Sequence, residues 1–127
     1  MWIARRRIPP PRRKQAYVLK EDALRERVVL ITGGGSGLGL SMAKTFAALG
    51  ARIAICGRSA DRLRTAAAEI DPLERNVFYQ ATDIREFEQV EALTLAIIER
   101  FGGIDILVNC AAGNFLAPTE DLSPNGF

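Results

Sequence analysis

The chain has 127 residues, of which 48% are hydrophobic and 25% are charged, the proportions of an ordinary globular domain. No apolar run approaches the roughly 20 residues of a membrane-spanning helix, so no membrane partner is expected. Histidine is absent, which excludes a histidine-based triad or metal site within this sequence. Residues 1–27 hold nine Lys and Arg against three acids, whereas residues 28–127 hold eight against twelve. Because the body of the chain is mildly acidic, no nucleic-acid partner is expected either.

Residues 1–27 form a basic leader that contains three consecutive prolines, Pro9 to Pro11. Consecutive prolines prevent a continuous helix, and no apolar segment of a secretory signal follows them. We therefore predict a disordered tail, or a start codon upstream of the native one. A mitochondrial transit peptide is the alternative, because the leader is rich in arginine and has no acid before Glu21.

From Val28 onward, short apolar runs alternate with amphipathic segments. Strands buried on both faces of a parallel sheet have this β-branched, apolar composition, and the runs lie at residues 28–32, 52–56, 76–81 and 104–109. Helices are predicted between them, at residues 37–49, 60–70 and 83–101. Ser59 is the predicted N-cap of the second helix, while Gly50 and Gly102 follow the ends of the first and third.

The apolar periodicity also predicts which helix faces pack on the sheet. In the first helix these positions are Leu38, Met42, Phe46 and Leu49. In the third helix they are Phe87, Val90, Leu93, Ile97 and Phe101. Alternating strands and helices with short connections imply right-handed crossovers. The predicted fold class is therefore α/β, a Rossmann-type doubly wound parallel sheet that stops after its fourth strand, which is left as an apolar edge.

A glycine cluster occupies the turn between the first strand and the first helix. Its candidate binding residues are Thr32, Gly33, Gly34, Gly35, Ser36, Gly37, Leu38 and Gly39. Glycine permits a tight turn and lets the backbone approach a pyrophosphate, to which the helix N-terminus offers free N–H groups. A P-loop is excluded because Leu40 stands at the lysine position, and the G-x-G-x-x-G spacing does not occur. The observed T-G-x-x-x-G-x-G pattern predicts a nucleotide site.

The end of the second strand predicts which nucleotide binds. An Asp or Glu there would hold the adenosine ribose 2′-OH of NAD, whereas arginine would hold the 2′-phosphate of NADP. Gly57 stands at this position and is followed by Arg58, Ser59 and Arg62, while Asp61 belongs to the next helix. We therefore predict NADP(H) as cofactor, with Arg58 as the principal phosphate ligand. The alternative is an arginine at a solvated helix start.

Three landmarks together resemble the short-chain dehydrogenase/reductase family over residues 26–127. They are the glycine pattern, Asp83 after the third strand, and the N-C-A-A-G element at residues 109–113. The resemblance implies that Asp83 hydrogen-bonds the adenine ring. It also places Asn109 and Ala111 in the cofactor site, with Asn109 tying neighbouring strands together. Cys110 departs from the family pattern, in which a second Asn usually stands there.

Within that family, residues 109–116 and the L-S-P-N-G-F stretch at 122–127 look like the 2,4-dienoyl-CoA reductases. This resemblance implies NADPH-dependent reduction of an acyl-CoA thioester in fatty acid β-oxidation. The substrate contacts it implies are Arg58, Arg85, Phe115, Ser123, Pro124 and Asn125. Phe115 in loop packing and Arg85 as a solvated helix residue are the alternatives. Reduction of a 3-ketoacyl thioester, an alcohol or a ketone by another family member also stays open.

The family's catalytic Tyr-x-x-x-Lys pair, or its variant with Asp in place of Tyr, is not found in residues 28–127, so we name no catalytic residue. A non-catalytic NADP-binding fragment is therefore a further alternative. For the full-length form the resemblance implies a homotetramer. Cys56 and Cys110 lack metal-ligand spacing, and we expect a reduced pair in an intracellular protein. A cytoplasmic location is expected, with peroxisome or mitochondrion as alternatives.

Overall fold

The computed structural model describes residues 19–112. Seven elements follow one another in the order β1 (Val28–Thr32), α1 (Gly37–Ala48), β2 (Arg52–Gly57), α2 (Ala60–Ile70), β3 (Val77–Ala81), α3 (Phe87–Phe101) and β4 (Ile106–Asn109). The strands form a single parallel sheet in the order β3-β2-β1-β4. The predicted α/β fold class, a doubly wound Rossmann-type sheet, is confirmed.

Strand β1 is the centre of this sheet, because it pairs with β2 on one side and β4 on the other. All five of its residues are buried. Val29 and Ile31 belong to the core that α1 and α2 cover, whereas Val28 and Leu30 belong to the core beneath α3. Helices on both faces explain why the strand is continuously apolar rather than alternating.

The predicted sheet-facing surface of α1 is partly wrong. Leu38 is 72% exposed, and the residues that α1 buries are the small Gly39 and Ala43. Phe46 is only half-buried, though it does pack against the core. The reason is a very close approach of helix to turn, since a Cβ on Gly39 would lie 2.3 Å from the Gly33 carbonyl oxygen. Small side chains let the helix come this near to the sheet.

The predicted start of α3 is also wrong. Asp83 does not open the helix, which begins at Phe87 with Glu86 as its N-cap residue. Instead the Asp83 carboxylate accepts the backbone N–H of Arg85, a local turn that competes with helix formation. Phe87 is 74% exposed and does not pack on the sheet as predicted, whereas Leu93 and Ile97 are buried as predicted.

The two ends of the described region add smaller corrections. Leu24 packs against the core and its N–H donates to the Leu49 carbonyl at 3.0 Å, so contacts with the core extend to a residue before Val28. Strand β4 starts at Ile106, two residues later than predicted, and Leu107 on it is 56% exposed. Within residues 19–112 no helix combines the length and the apolar character that crossing a membrane requires.

Asp71 organises the turn that links α2 to β3. Its carboxylate oxygens accept the N–H groups of Asn76 and Arg75 at 3.0 Å and of Leu73 at 3.1 Å. The hydrogen bond from Asn76 is the largest of the effects that lower the pKa of Asp71. A group of this kind stabilises the fold above its unfolded pKa of about 3.9, and that stability is lost as the pH falls through the folded value.

We expect Asp71→Ala to lower the free energy of unfolding by about 1–2 kcal/mol, because three backbone N–H groups lose their acceptor. Urea denaturation at pH 7 measures this, with Glu91→Ala, an exposed helix position, as the control. The difference from wild type should narrow as the pH is lowered from 5 towards 3. A difference independent of pH would show that the carboxylate charge plays no part.

Candidate functional site

The carboxyl ends of all four strands open into one cleft with a volume of about 780 Å³. The chain runs outward from β1 to β3 and then crosses back to β4, so the cleft lies where the strand order reverses. In open parallel sheets, ligands bind at this switch point. The cleft is lined by Gly33, Gly35, Ser36, Leu38, Gly39, Gly57, Arg58, Ser59, Arg62, Leu63, Thr82, Asp83, Ile84, Arg85, Asn109, Cys110, Ala111 and Ala112.

The glycine turn and the segment after β4 are fastened together at the base of the cleft. Thr32 is buried, and its Oγ1 accepts the backbone N–H groups of Cys110 and Ala111, both at 3.1 Å. Gly33 has φ +69°, and a Cβ there would lie 2.9 Å from the Ala111 nitrogen. The turn therefore depends on glycine both for its backbone conformation and for this approach to β4.

The eight residues predicted from the glycine pattern divide into two groups. Five of them line the cleft, namely Gly33, Gly35, Ser36, Leu38 and Gly39. The other three support the turn from outside that lining. Thr32 lies beneath it, Gly34 packs on the Ile55 side chain, and Gly37 takes φ +53° at the first residue of α1.

The end of β2 brings two arginines and no carboxylate-bearing residue to the cleft lining. Arg58 and Arg62 both line it. Ser59 caps α2 as predicted, since its Oγ accepts the Arg62 N–H at 3.4 Å. Asp61 lies on α2 outside the lining and pairs with Arg64 at 2.9 Å. Two arginines beside a helix N-terminus form a surface that attracts a phosphate group.

The end of β3 brings Asp83 and Arg85 into the same cleft as an ion pair. Arg85 Nη2 donates to Asp83 Oδ2 at 2.6 Å, and Nε donates to Oδ1 at 2.9 Å. The hydrogen bonds from the Arg85 side chain and then its backbone lower the pKa of Asp83 to about 2. The same pair raises the pKa of Arg85. The Arg85 side chain remains 73% exposed, so the pair stands at the surface of the cleft.

Several lining residues were not among the predicted site residues, namely Gly57, Leu63, Thr82, Ile84, Cys110 and Ala112. Thr82 is buried and donates its N–H to the Gly57 carbonyl at 2.8 Å, which joins the ends of β2 and β3. Its position directly after a predicted strand was the one available signal. Asn109 and Ala111 line the cleft at the end of β4.

Other predicted residues cannot be placed in this site. Phe115, Ser123, Pro124 and Asn125 lie outside the residues that the structure describes. Among residues 19–112 no cluster of three His, Cys, Asp or Glu side chains is arranged to hold a metal ion. Cys56 is buried at the end of β2, and this burial raises the pKa of its thiol.

Comparison with known proteins identifies a matching family and several similar proteins. The family model of short chain dehydrogenases matches residues 27–127. The peroxisomal 2,4-dienoyl-CoA reductase of Arabidopsis thaliana is 46% identical over 108 residues, which are 85% of this chain and 36% of that protein. A probable 2,4-dienoyl-CoA reductase of Bacillus subtilis is 38% identical over 104 residues, with shares of 82% and 41%. The chain thus spans about two fifths of the length of these curated relatives.

Solved structures share the fold at similar identity. A short chain dehydrogenase from Bacillus anthracis superposes with a TM-score of 0.69 at 46% identity, covering 80% of this chain and 41% of that one. The L-sorbose reductase of Gluconobacter frateurii, solved in complex with NADPH and L-sorbose, has a TM-score of 0.73 at 33% identity, with shares of 84% and 41%.

The close approach of α1 predicts whether Gly39→Ala raises or lowers the free energy of unfolding. Alanine at a helix position normally stabilises by about 1 kcal/mol relative to glycine. Here the new Cβ would meet the Gly33 carbonyl oxygen at 2.3 Å, so Gly39→Ala should instead destabilise by about 1–3 kcal/mol in urea denaturation. Gly103→Ala controls for the added methyl group alone, because Gly103 lies outside the helices and a Cβ there meets nothing within 4 Å. A Gly39→Ala variant as stable as wild type would contradict the close approach.

Proposed function

The chain belongs to the short-chain dehydrogenase family, and on that basis we propose that its cleft binds NADP(H) for the reduction of 2,4-dienoyl-CoA thioesters. The observation that carries the cofactor assignment is the pair of arginines, Arg58 and Arg62, at the end of β2. A carboxylate at that place would select the free ribose 2′-OH of NAD. Gly57 occupies the place instead and contributes no side chain.

The start of α1 beside the glycine turn suits a dinucleotide pyrophosphate. The turn is held close to α1 and to the segment after β4, since a Cβ at Gly33 or Gly39 would collide with backbone atoms there. The first turn of α1 contains no acidic residue, so the partial positive charge at its N-terminus is unopposed. The pyrophosphate would therefore lie across Gly35, Ser36 and Leu38 at the start of α1, close to the free N–H groups.

The remaining contacts follow from the positions of the strand ends. Arg58, Ser59 and Arg62 would hold the adenosine 2′-phosphate, and Asp83 would lie near the adenine ring. The segment after β4, with Asn109 and Ala111, would lie on the nicotinamide side. NADPH supplies a hydride when bound. What these residues contribute is binding and orientation of the two ends of the cofactor.

The substrate assignment is supported by relatives named as 2,4-dienoyl-CoA reductases from a plant and a bacterium. We propose that Arg58 and Arg85 contact the acyl-CoA, with Phe115 and residues 123–125 as further contacts. Because the chain spans about two fifths of these relatives, the activity of the whole protein, its homotetrameric assembly and its cytoplasmic or peroxisomal location are parts of the same proposal. No residue within 19–112 is proposed as catalytic.

Reduction of a ketone is the second candidate, favoured by the likeness to L-sorbose reductase at a TM-score of 0.73. The glycine turn and the arginines at the end of β2 serve either reaction, since both use the same kind of cofactor. The choice between the two substrates therefore has to be made by measuring turnover.

We expect Arg58→Gln to weaken NADPH binding by about 10- to 100-fold while leaving NADH binding within about twofold, because a charge-assisted phosphate contact is worth about 1.5–3 kcal/mol. Fluorescence titration of the reduced cofactors at fixed ionic strength gives both dissociation constants. Arg64→Gln is the matched control, as Arg64 is exposed on α2 and lies outside the cleft lining. Equal affinity of the wild type for NADPH and NADH would contradict the cofactor assignment.

In the native protein we expect a 2,4-dienoyl-CoA to be reduced with consumption of NADPH, followed as the loss of nicotinamide absorbance. The matched comparisons are a 3-ketoacyl-CoA and L-sorbose at the same concentration. Faster consumption with either of these would transfer the proposal to a ketone reductase. Omission of the CoA thioester should abolish NADPH loss, which controls for slow cofactor oxidation.

A further inference from the structure

Asp83 carries the opposite charge to the other charged residues described along the cleft. Among the described residues that line it, three are cationic, Arg58, Arg62 and Arg85, and Asp83 is the single anion. The Asp83 carboxylate opposes the binding of a ligand that carries a phosphate dianion, because like charges in one partly enclosed site repel. The cleft therefore contains a group that works against the ligand its arginines attract.

Arg85 offsets this repulsion by pairing with the Asp83 carboxylate. Its Nε contacts both carboxylate oxygens, at 2.9 and 3.2 Å, and its Nη2 donates to Oδ2 at 2.6 Å. The backbone N–H of the same residue donates to Oδ1 at 3.1 Å. One residue thus supplies both the fork that neutralises Asp83 and the turn that aims the carboxylate at it. Such a two-pronged contact is more directional than a single ion pair.

The pair also leaves room for further contacts. A guanidinium group has five N–H donors, and the contacts to Asp83 use the Nε–H and one hydrogen on Nη2. The Asp83 side chain is 21% exposed, so it keeps an accessible edge. Arg58 lines the same cleft as Asp83 and also lowers the pKa of this carboxyl, to a smaller extent than Arg85.

We propose that Arg85 determines cofactor specificity by neutralising Asp83, so that the cleft tolerates a 2′-phosphorylated dinucleotide. This inference rests on the proposed binding of NADP(H) and adds a residue outside the β2 end. Arg85 is a positioning residue in this role, since it acts on the cofactor through Asp83. Two roles compete with this one. Arg85 could contact the 2′-phosphate directly, or it could contact only the acyl-CoA and have no effect on the choice of cofactor.

The test is a double-mutant cycle on the ratio of the NADH to the NADPH dissociation constant. The variants are Arg85→Gln, Asp83→Asn and the combination of both. Adenine is common to the two cofactors, so any effect of Asp83 on the ring cancels in this ratio. Arg85 is 73% exposed, and its replacement is not expected to impair folding, which circular dichroism checks.

We expect Arg85→Gln to lower the ratio about five- to tenfold at low ionic strength, because Asp83 is then an unpaired anion beside the phosphate site. Asp83→Asn should raise the ratio, and the double variant should return to within about twofold of wild type. The effect of Arg85→Gln should shrink as salt is added. Arg64→Gln and Asp61→Asn, which alter an exposed Arg–Asp pair outside the cleft lining, are the matched controls.

Each contrary result has a distinct meaning. If Arg85→Gln leaves the ratio unchanged, the inference is overturned. The proposed function still stands in that case, provided that the wild type prefers NADPH. A lowered ratio that Asp83→Asn fails to restore identifies Arg85 as a direct phosphate ligand and also overturns it. A wild type that binds NADH as tightly as NADPH removes the proposed function, and the inference fails with it.

Discussion

The contact between α1 and the glycine turn leaves no room for a side chain at Gly39, and the cleft depends on that contact. It places the N-terminus of α1 against the end of β1, where Gly33 in turn lies against the backbone after β4. Thr32 holds the same two segments together from below through its Oγ1. The wall of the cleft is thus backbone in close contact with backbone, which resists deformation better than a wall of flexible side chains.

Around this rigid base the strand ends supply the charges. Parallel strands end at one edge, so residues far apart in sequence meet there: Arg58 after β2, Asp83 and Arg85 after β3. The sheet constrains the residues within the strands and the register of their pairing. It does not constrain the side chains that follow the strand ends. The ligand preference of such a cleft can therefore be set by two or three side chains without disturbing the core.

Sequence patterns predicted the sheet and most of the cleft because they report local requirements. Buried parallel strands are continuously apolar, and glycine is needed where two backbones meet, as at Gly33. The failures came from interactions that periodicity does not encode. Leu38 fits an apolar stripe, yet the close approach at Gly39 turns it towards the cleft. Asp83 fits a helix start, yet its bond to the Arg85 N–H makes a turn instead. Thr82 belongs to no motif and is recognised only by its place after a strand.

The pairing of β1 with β4 also has a consequence for the order of assembly. The hydrogen bond from Val28 to Asp105 joins residues separated by 77 positions, whereas β1, β2 and β3 are joined by shorter connections. Closing such a long loop costs conformational entropy before any contact repays it, and long-range pairing slows folding. The first three strands have been synthesised before β4 emerges from the ribosome. The hydrogen bonds between Thr32 and the segment after β4 therefore form later than the pairing of β1 with β2, and the part of the cleft that residues 109–112 line is assembled with them.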